Sequence, residues 1–325
     1  MNERILVGDI GGTHARLALA DSALALSHVR DYPSGDFDDG TRLVERYLRD
    51  IGAGELTGCC LAIAGPVIDG RGKLTNGRIS CDARDLGAAL GHDRVLVIND
   101  FTAVGHALPV LPETALKTIG PEIEAAGTKA ALGPGTGLGM GFVVRHGGRW
   151  LVLPSEGGHA NLAVTDPLEA EVLGFLHNRF DFVGWETVLS GPGLVNLYRA
   201  VCEVWGTSPE VDQPSQITGR ALTVEDPVCH QTLEMFCNLL GTAAGGLAVT
   251  VCATGGVYVA GGILPKLGDF FEQSQFRRRF EQRGPMSHYV KAIPTRLVLE
   301  PELGLVGSAA AYWDAFSPAS SLVSR

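Results

Sequence analysis

Six short stretches of this sequence carry residue types that could do chemistry together. Gly8-Asp9-Ile10-Gly11-Gly12-Thr13 stands between two apolar runs. Adjacent glycines let a backbone turn tightly and approach a ligand with no Cβ in the way. Their N–H groups, with the Thr13 hydroxyl, could cradle phosphate oxygens. Asp9 could hold water on a magnesium ion bound to those phosphates. Gly135-Thr136-Gly137-Leu138-Gly139 has the same character. Either turn alone is an ordinary hairpin; two at matching places in two half-chains point to phosphate. Asn99-Asp100 closes the apolar run Val95–Ile98. Ligands gather at the C-terminal ends of strands in α/β sheets, so an Asp there suits a general base. The same Asp100 is a favoured N-cap for a helix over 101–108, and both roles can coexist. Pro154-Ser155-Glu156-Gly157-Gly158-His159 brings Glu156 and His159 close enough to share a ligand, and its glycine pair argues for close packing rather than a solvated loop. Glu186, between Trp185 and Val188-Leu189, means little alone. Gly261-Gly262 follows another apolar run.

Competing motifs fail. The only Gly-Lys pair, Gly72-Lys73, is followed by Leu74, so GxxxxGK[ST] is absent. The GxGxxG pattern joins a strand to a helix, whereas these glycine runs join strands to strands. Glu156 and His159 do not have HExxH spacing and no cysteine cluster is near, which argues against zinc. The seven cysteines form no CxxC and sit among apolar neighbours. They read as buried thiols of a reducing compartment, hence a cytoplasmic location.

The bulk numbers set outer limits. A chain of 325 residues, 45% apolar and 19% charged, suits two domains with real cores. With a net charge of −10 and no basic footprint, no nucleic-acid partner is expected. Residues 235–265 contain no Asp, Glu, Lys or Arg and are long enough to cross a bilayer. Glycines from Gly241 to Gly262 and polar Asn238, Thr242, Thr250 and Thr254 favour a buried helix, a turn and a buried strand, so no membrane is expected. Met1-Asn2-Glu3-Arg4 leads straight into a strand, with no signal-peptide pattern.

The elements that must position these residues follow from periodicity. Strands are expected over Ile5–Asp9, His14–Ala20 and His28–Tyr32. Leu43, Val44, Tyr47, Leu48 and Ile51 form a helix stripe. A strand at Cys59–Ala64, a hairpin at Asp69-Gly70, a helix near Asp85–Leu90 and a strand at Arg94–Ile98 follow. The opening then repeats: Lys129–Gly133, the second glycine turn, Met140–Val144 and Arg149–Leu153, the last two joined at Gly147-Gly148. Helices over Leu168–Phe180 and Leu194–Val201, a strand at Val257–Ala260 and a helix at Leu305–Ala315 complete the series. The Ser-rich residues after Ser317 are expected to fray.

In this order the motifs resemble the bacterial glucokinase family, in the hexokinase–actin–Hsp70 superfamily. The resemblance runs nearly end to end. It rests on the first glycine turn with Arg16, on Ile98-Asn99-Asp100-Phe101-Thr102-Ala103, and on the second glycine turn. Glu156-Gly157-Gly158-His159, Ser190-Gly191-Pro192-Gly193-Leu194 and Ala260-Gly261-Gly262-Ile263 add to it. It implies an α/β fold of two domains of duplicated RNase H-like βββαβαβα type with an interdomain cleft. A small N-terminal domain (1–110) would be completed by a C-terminal helix at about 304–318, and 111–303 would form the larger domain. ATP would lie across Gly8, Asp9, Ile10, Gly11, Gly12 and Thr13 and across Gly135, Thr136 and Gly137, with the adenosine near Gly261 and Gly262. Glucose would be held by Asn99, Asp100, Glu156, His159 and Glu186, with Asp100 as catalytic base for the 6-hydroxyl. Mg²⁺ would be held through water by Asp9. The product would be glucose 6-phosphate, in the first step of glycolysis, and the protein a homodimer.

Two positions depart from the family pattern. His14 stands where Asn is common. The family's Thr-Asn-x-x-Trp reads Thr75-Asn76-Gly77-Arg78-Ile79. The rival functions are a kinase of fructose or mannose, a non-catalytic sugar sensor, and an ATP-driven machine of actin/Hsp70 type. The related repressor and N-acetyl-sugar kinase family usually carries a cysteine-rich zinc motif, which this chain lacks.

Overall fold

The computed structural model describes residues 3–52, 56–123, 125–223 and 226–317. The expected fraying after Ser317, and position 318 of the expected final helix, lie outside the described residues. In chain order the elements are β1 (Arg4–Ile10), β2 (His14–Asp21), β3 (Leu26–Pro33), α1 (Gly40–Ile51), β4 (Cys59–Ile63), β5 (Val67–Ile68), β6 (Arg71–Lys73), β7 (Ser80–Asp82), α2 (Ala83–Leu90), β8 (Val95–Asn99) and α3 (Asp100–Ala107). Then come β9 (Leu116–Thr118), β10 (Lys129–Pro134), β11 (Leu138–His146), β12 (Arg149–Ser155), α4 (Pro167–His177), α5 (Gly191–Val204), α6 (Pro214–Leu222), α7 (Pro227–Thr250), β13 (Val257–Val259), α8 (Asp269–Gln273), α9 (Phe276–Glu281), α10 (Ser287–Lys291), β14 (Thr295–Val298) and α11 (Leu303–Phe316).

β1 lacks a polar face because both its faces are covered, as parallel neighbours require. Its sheet runs β3-β2-β1-β4-β8, parallel across β1, β4 and β8. Side chains alternate along each strand. Leu6, Ile10, Leu17, Leu61 and Ile63 pack against Leu43, Val44 and Tyr47 of α1 and Leu86 of α2. Ile5, Val7, Ala18, Ala20 and Cys60 point the other way, against Leu305, Ala309, Tyr312 and Trp313 of α11. Small side chains on that face let the last helix lie close. Full burial of a residue such as Leu305 contributes on the order of 2 kcal/mol.

The second sheet runs β12-β11-β10-β13-β14-β9. Its first five strands repeat the order of the first sheet, and β10, β13 and β14 are parallel. β9 adds an antiparallel edge to β14. The first half follows the expected βββαβαβα order, with the small sheet β5-β6-β7 inserted. The β5–β6 hairpin turns at Asp69 (φ 51°) and Gly70 (φ 73°), the left-handed pair that a two-residue hairpin favours. The second half inserts α4, α5 and α6 before α7. α7 is 24 residues long and apolar enough to cross a membrane by length and composition, yet 72% of its most apolar window is buried. It is the central helix of this core, with Leu233, Phe236, Leu240 and Ala244 buried. The charge-free stretch is therefore a helix, a turn and β13, as its glycines and threonines indicated.

The chain divides into two compact units. One comprises Met1–Leu111, Val143–Pro154 and Glu300–Arg325, as far as these are described; the other comprises Pro112–Phe142 and Ser155–Leu299. α11 is tied into the first unit at three carbonyls. Ser308 Oγ donates to Gly8 O (3.1 Å), Tyr312 OH to Thr57 O (2.8 Å) and Trp313 Nε1 to Asp21 O (3.1 Å). Where α11 crosses α3, Gly307 lies so close that a Cβ there would fall 1.9 Å from the Ala103 carbonyl oxygen. Gly307→Ala must therefore push two helices apart, and its expected cost is about 3 kcal/mol. A lowered urea midpoint would show it; an unchanged midpoint would mean that this contact yields freely.

Candidate active site

In the first unit, strand register decides which motifs meet. Ile10 pairs with Ile63, and Ile63 with Asn99. The glycine turn after β1 and the Asn99-Asp100 pair after β8 thus leave the same edge of the sheet, two strand spacings or about 10 Å apart. The turn is closed by Gly11 N–H donating to His14 O (2.9 Å). It is held from outside by Ser34, whose Oγ donates to Gly11 O (2.6 Å) and whose N–H donates to Thr13 O (2.9 Å).

The helix after β8 is capped by Asn99, not by Asp100. Asn99 Oδ1 accepts from Phe101 N–H (2.9 Å) and Thr102 N–H (3.2 Å), which places Asp100 inside the first turn. The cap falls one residue earlier because Asn99 has the extended backbone a cap needs. Asn99 Nδ2 donates to Gly65 O (3.1 Å) and to Asp100 Oδ1 (2.8 Å). The amide therefore orients the Asp100 carboxylate. Its oxygen accepts two bonds and its nitrogen donates two, so any contact from Asn99 to a ligand exchanges one of them.

Asp9 lies against the start of α11. A Cβ on Gly304 would fall 2.5 Å from Asp9 Oδ2, so only glycine leaves room for the carboxylate. Burial pushes the Asp9 carboxyl up to about 6; Arg16 opposes this and Glu302 adds to it. Arg16 donates to Pro301 O (3.2 Å) and Asp31 Oδ2 (3.4 Å), and lies 3.9 Å from Glu302 Oε2. Glu302 Oε2 is buried and accepts no hydrogen bond. Burial also raises the Glu302 carboxyl above its usual range. Two carboxylates held toward neutrality, one with an orphaned oxygen, are groups that a hydrated magnesium ion would ionise and satisfy, so these residues fit one. In ligand-free protein Asp9 costs stability once it is charged. Its folded pKa lies above its unfolded value of 3.8, so folding is opposed above pH 6 and the penalty fades as pH falls toward 4. Asp9→Asn is expected to raise the melting temperature in EDTA at pH 7.5, with the gain shrinking at pH 5. A gain that grows toward acid would contradict this.

In the second unit, three motifs converge on one residue, Leu138. β10 ends at Pro134, and the turn is closed by Gly135 N–H donating to Gly137 O (2.8 Å). Leu138 N–H donates to Glu186 Oε2 (2.7 Å). At the next peptide along, a Cβ on Gly158 would fall 2.0 Å from Leu138 O, so the Glu156–His159 segment packs directly on that carbonyl. Glu156 and His159 themselves are exposed. An antiparallel bridge between Asn161 and Gly184, with Trp185 N–H donating to Ala160 O (3.0 Å), ties this segment to the short 3₁₀ turn Trp185–Thr187 that carries Glu186. Ser190 caps α5 and donates to Glu186 O (2.9 Å), while Gly191 N–H donates to Gly135 O (2.8 Å). Gly261, with φ 97°, sits so close to β10 that a Cβ would fall 2.4 Å from Pro134 O. The Gly261-Gly262 turn therefore abuts the base of the second glycine turn.

Several contributors escaped the sequence reading. Gly65, Gly304 and Glu302 lie far in sequence from the groups they touch, and Leu138 acts through its backbone. The Ser190-Gly191-Pro192-Gly193 motif was visible, but not its work as a strut. Of the buried thiols expected, six are buried; Cys252 is exposed, in a left-handed backbone conformation (φ 51°). None is paired with another. His14 Nδ1 lies 2.8 Å from Asp31 Oδ1 on an exposed surface. Ile79 is fully buried in the apolar core of the first unit, with Leu74 N–H donating to its carbonyl.

A sheet order used twice, with a glycine turn after the first strand of each copy, is the duplicated α/β architecture of the hexokinase–actin–Hsp70 superfamily. A family model described as "Glucokinase" matches residues 6–315. The glucokinase of Hahella chejuensis is 42% identical over 308 residues, covering 94% of this chain and 96% of its own. That of Aromatoleum aromaticum is 43% identical over 309 residues, covering 94% and 93%. The crystal structure of a glucokinase from an Antarctic psychrotroph superposes with a TM-score of 0.85 at 37% identity, over 97% of this chain and all of that one. The chain belongs to the glucokinase family.

Proposed function

We propose that this chain transfers the terminal phosphoryl group of ATP to the 6-hydroxyl of D-glucose. The observation that carries this reading is Asp100: it stands on the same sheet edge as the first glycine turn, its carboxylate aimed by Asn99. The backbone N–H groups of Gly8–Thr13 and Gly135–Gly137 hold the phosphates, and Gly261-Gly262 meets the adenosine. Asp9, with Glu302 beside it, would hold magnesium through water, and the ion would neutralise phosphate charge. Phosphoryl transfer needs mainly such positioning and charge stabilisation. Asn99, Asp100, Glu156, His159 and Glu186 would hold the sugar, since carboxylates accept from hydroxyls. Asp100 takes the proton as the 6-oxygen attacks phosphorus. The unpaired cysteines agree with a cytoplasmic enzyme, and family resemblance favours a homodimer. The test is ADP release across a panel of hexoses, with the product identified. Glucose-dependent ADP and glucose 6-phosphate are expected. ADP release that ignores sugar would favour a motor-like ATPase, and glucose binding without turnover a sensor.

A further inference from the structure

We infer that Glu186 positions the second phosphate turn as well as binding sugar, so that one hydrogen bond, from the Leu138 N–H, serves both substrates. The sugar half of this rests on the function proposed above. The Leu138 N–H to Glu186 Oε2 bond is 2.7 Å long, in the short range of bonds to a charged acceptor. Gly137 explains how the carboxylate gets there. A Cβ on Gly137 would fall 2.4 Å from Oε2 and 3.1 Å from Cδ. Gly137 does not have a left-handed φ, so glycine is needed here for space rather than for backbone freedom. Glu186 occupies the volume that a side chain in the phosphate turn would fill.

The rest of the turn is held from the same place. Gly135 O accepts from Gly191 N–H at the start of α5, and Ser190, the cap of that helix, holds the Glu186 carbonyl. Gly158, beside Glu156 and His159, packs against the Leu138 carbonyl, in the next peptide along. A sugar hydroxyl drawing on Glu186, and a phosphate drawing on the turn, therefore load one hydrogen bond from opposite ends. A turn already held in place by one substrate costs the other less to order, and coupling between two binding sites is reciprocal, so glucose should tighten nucleotide and nucleotide should tighten glucose. A residue that only touched sugar would leave nucleotide affinity alone when no sugar is present.

That difference is the test. Titration calorimetry of AMP-PNP with magnesium is run on the whole protein with no sugar. Glu186→Ala and Glu186→Asp, whose shorter chain withdraws the carboxylate, are expected to raise the nucleotide Kd about fivefold, the scale of one lost charged hydrogen bond partly transmitted. Glu186→Gln keeps an oxygen that can accept from Leu138 and should stay within about twofold of wild type. Melting curves establish that each variant is folded, and Glu186→Asp serves if the Ala variant is not. Saturating glucose should tighten AMP-PNP in wild type and not in Glu186→Ala. Wild-type nucleotide affinity in both Ala and Asp variants without sugar would overturn the inference, as would a Gln variant as weak as Ala. A wild-type protein with no glucose binding would instead overturn the sugar assignment, since the sugar-free comparison does not depend on it.

Discussion

Asp100→Asn is expected to lower kcat by about 10²- to 10⁴-fold, the usual contribution of a positioned general base. The substitution keeps the shape and the place in the first turn of α3. It leaves the Asn99 cap intact, because that cap does not involve the Asp100 side chain. Stability should therefore change little. Glucose affinity should fall less than kcat, since an amide still hydrogen-bonds the 6-hydroxyl. An Asn variant that keeps more than roughly a third of wild-type kcat would remove Asp100 from the base role, given that scale. Rapid-quench and steady-state rates with ATP and glucose make the measurement.

The second large effect concerns the choice of sugar. Glucose is expected to exceed fructose in kcat/KM by roughly 10² or more. In the proposed site Asp100 meets the 6-hydroxyl, while Glu186 and His159 meet the anomeric end. A pyranose ring is thus measured from both ends, and a furanose leaves a carboxylate without its donor. A hydrogen bond to a charged group contributes about 1.5–3 kcal/mol, and an unpaired buried partner costs a similar amount. Two disrupted contacts reach the stated factor at about 1.4 kcal/mol per tenfold. Ile79, where the family has an aromatic, is packed inside the first unit's core and offers the sugar no surface. Glu186→Gln should depress glucose use and narrow the gap. Steady-state kinetics on glucose, mannose and fructose decide it: a fructose value equal to or above glucose would sink the glucose assignment and leave the sugar-kinase class standing.

The strands and the order of the motifs were legible in the sequence because burial on both faces leaves continuous apolar runs, and glycines interrupt them where the chain must turn. Ile5–Asp9 and Val95–Ile98 are such runs, and both were placed within a residue or two. The repeat of strand, glycine turn and strand announced the duplicated sheet. What escaped depends on register and contact. Nothing near position 99 says that its amide reaches Gly65 or that it, rather than Asp100, caps the helix. Nothing near position 138 says that its N–H finds a carboxylate 48 residues away. Two of the three helices inserted between β12 and α7 were legible; the third, Pro214–Leu222, buries only Ile217 and Ala221, too few apolar positions to stand out. The hairpin at Gly147-Gly148 was read correctly, but its packing with the first unit's residues could not be.

The placement of α11 has a consequence for how the chain is made. The β1 face that buries Ile5 and Val7 is covered by residues synthesised about 300 positions later, Leu305 to Trp313. A ribosome adds about 5–20 residues per second, so that apolar face waits tens of seconds for its cover. The second unit is built from Pro112–Phe142 and Ser155–Leu299 and has all its own helices before α11 emerges. It can close while the first sheet is still open along one side. Nascent chains stalled before residue 303 should therefore carry an ordered second unit and a first unit that binds chaperones. Closure of the first unit's core therefore waits on α11, whatever the second unit has already done.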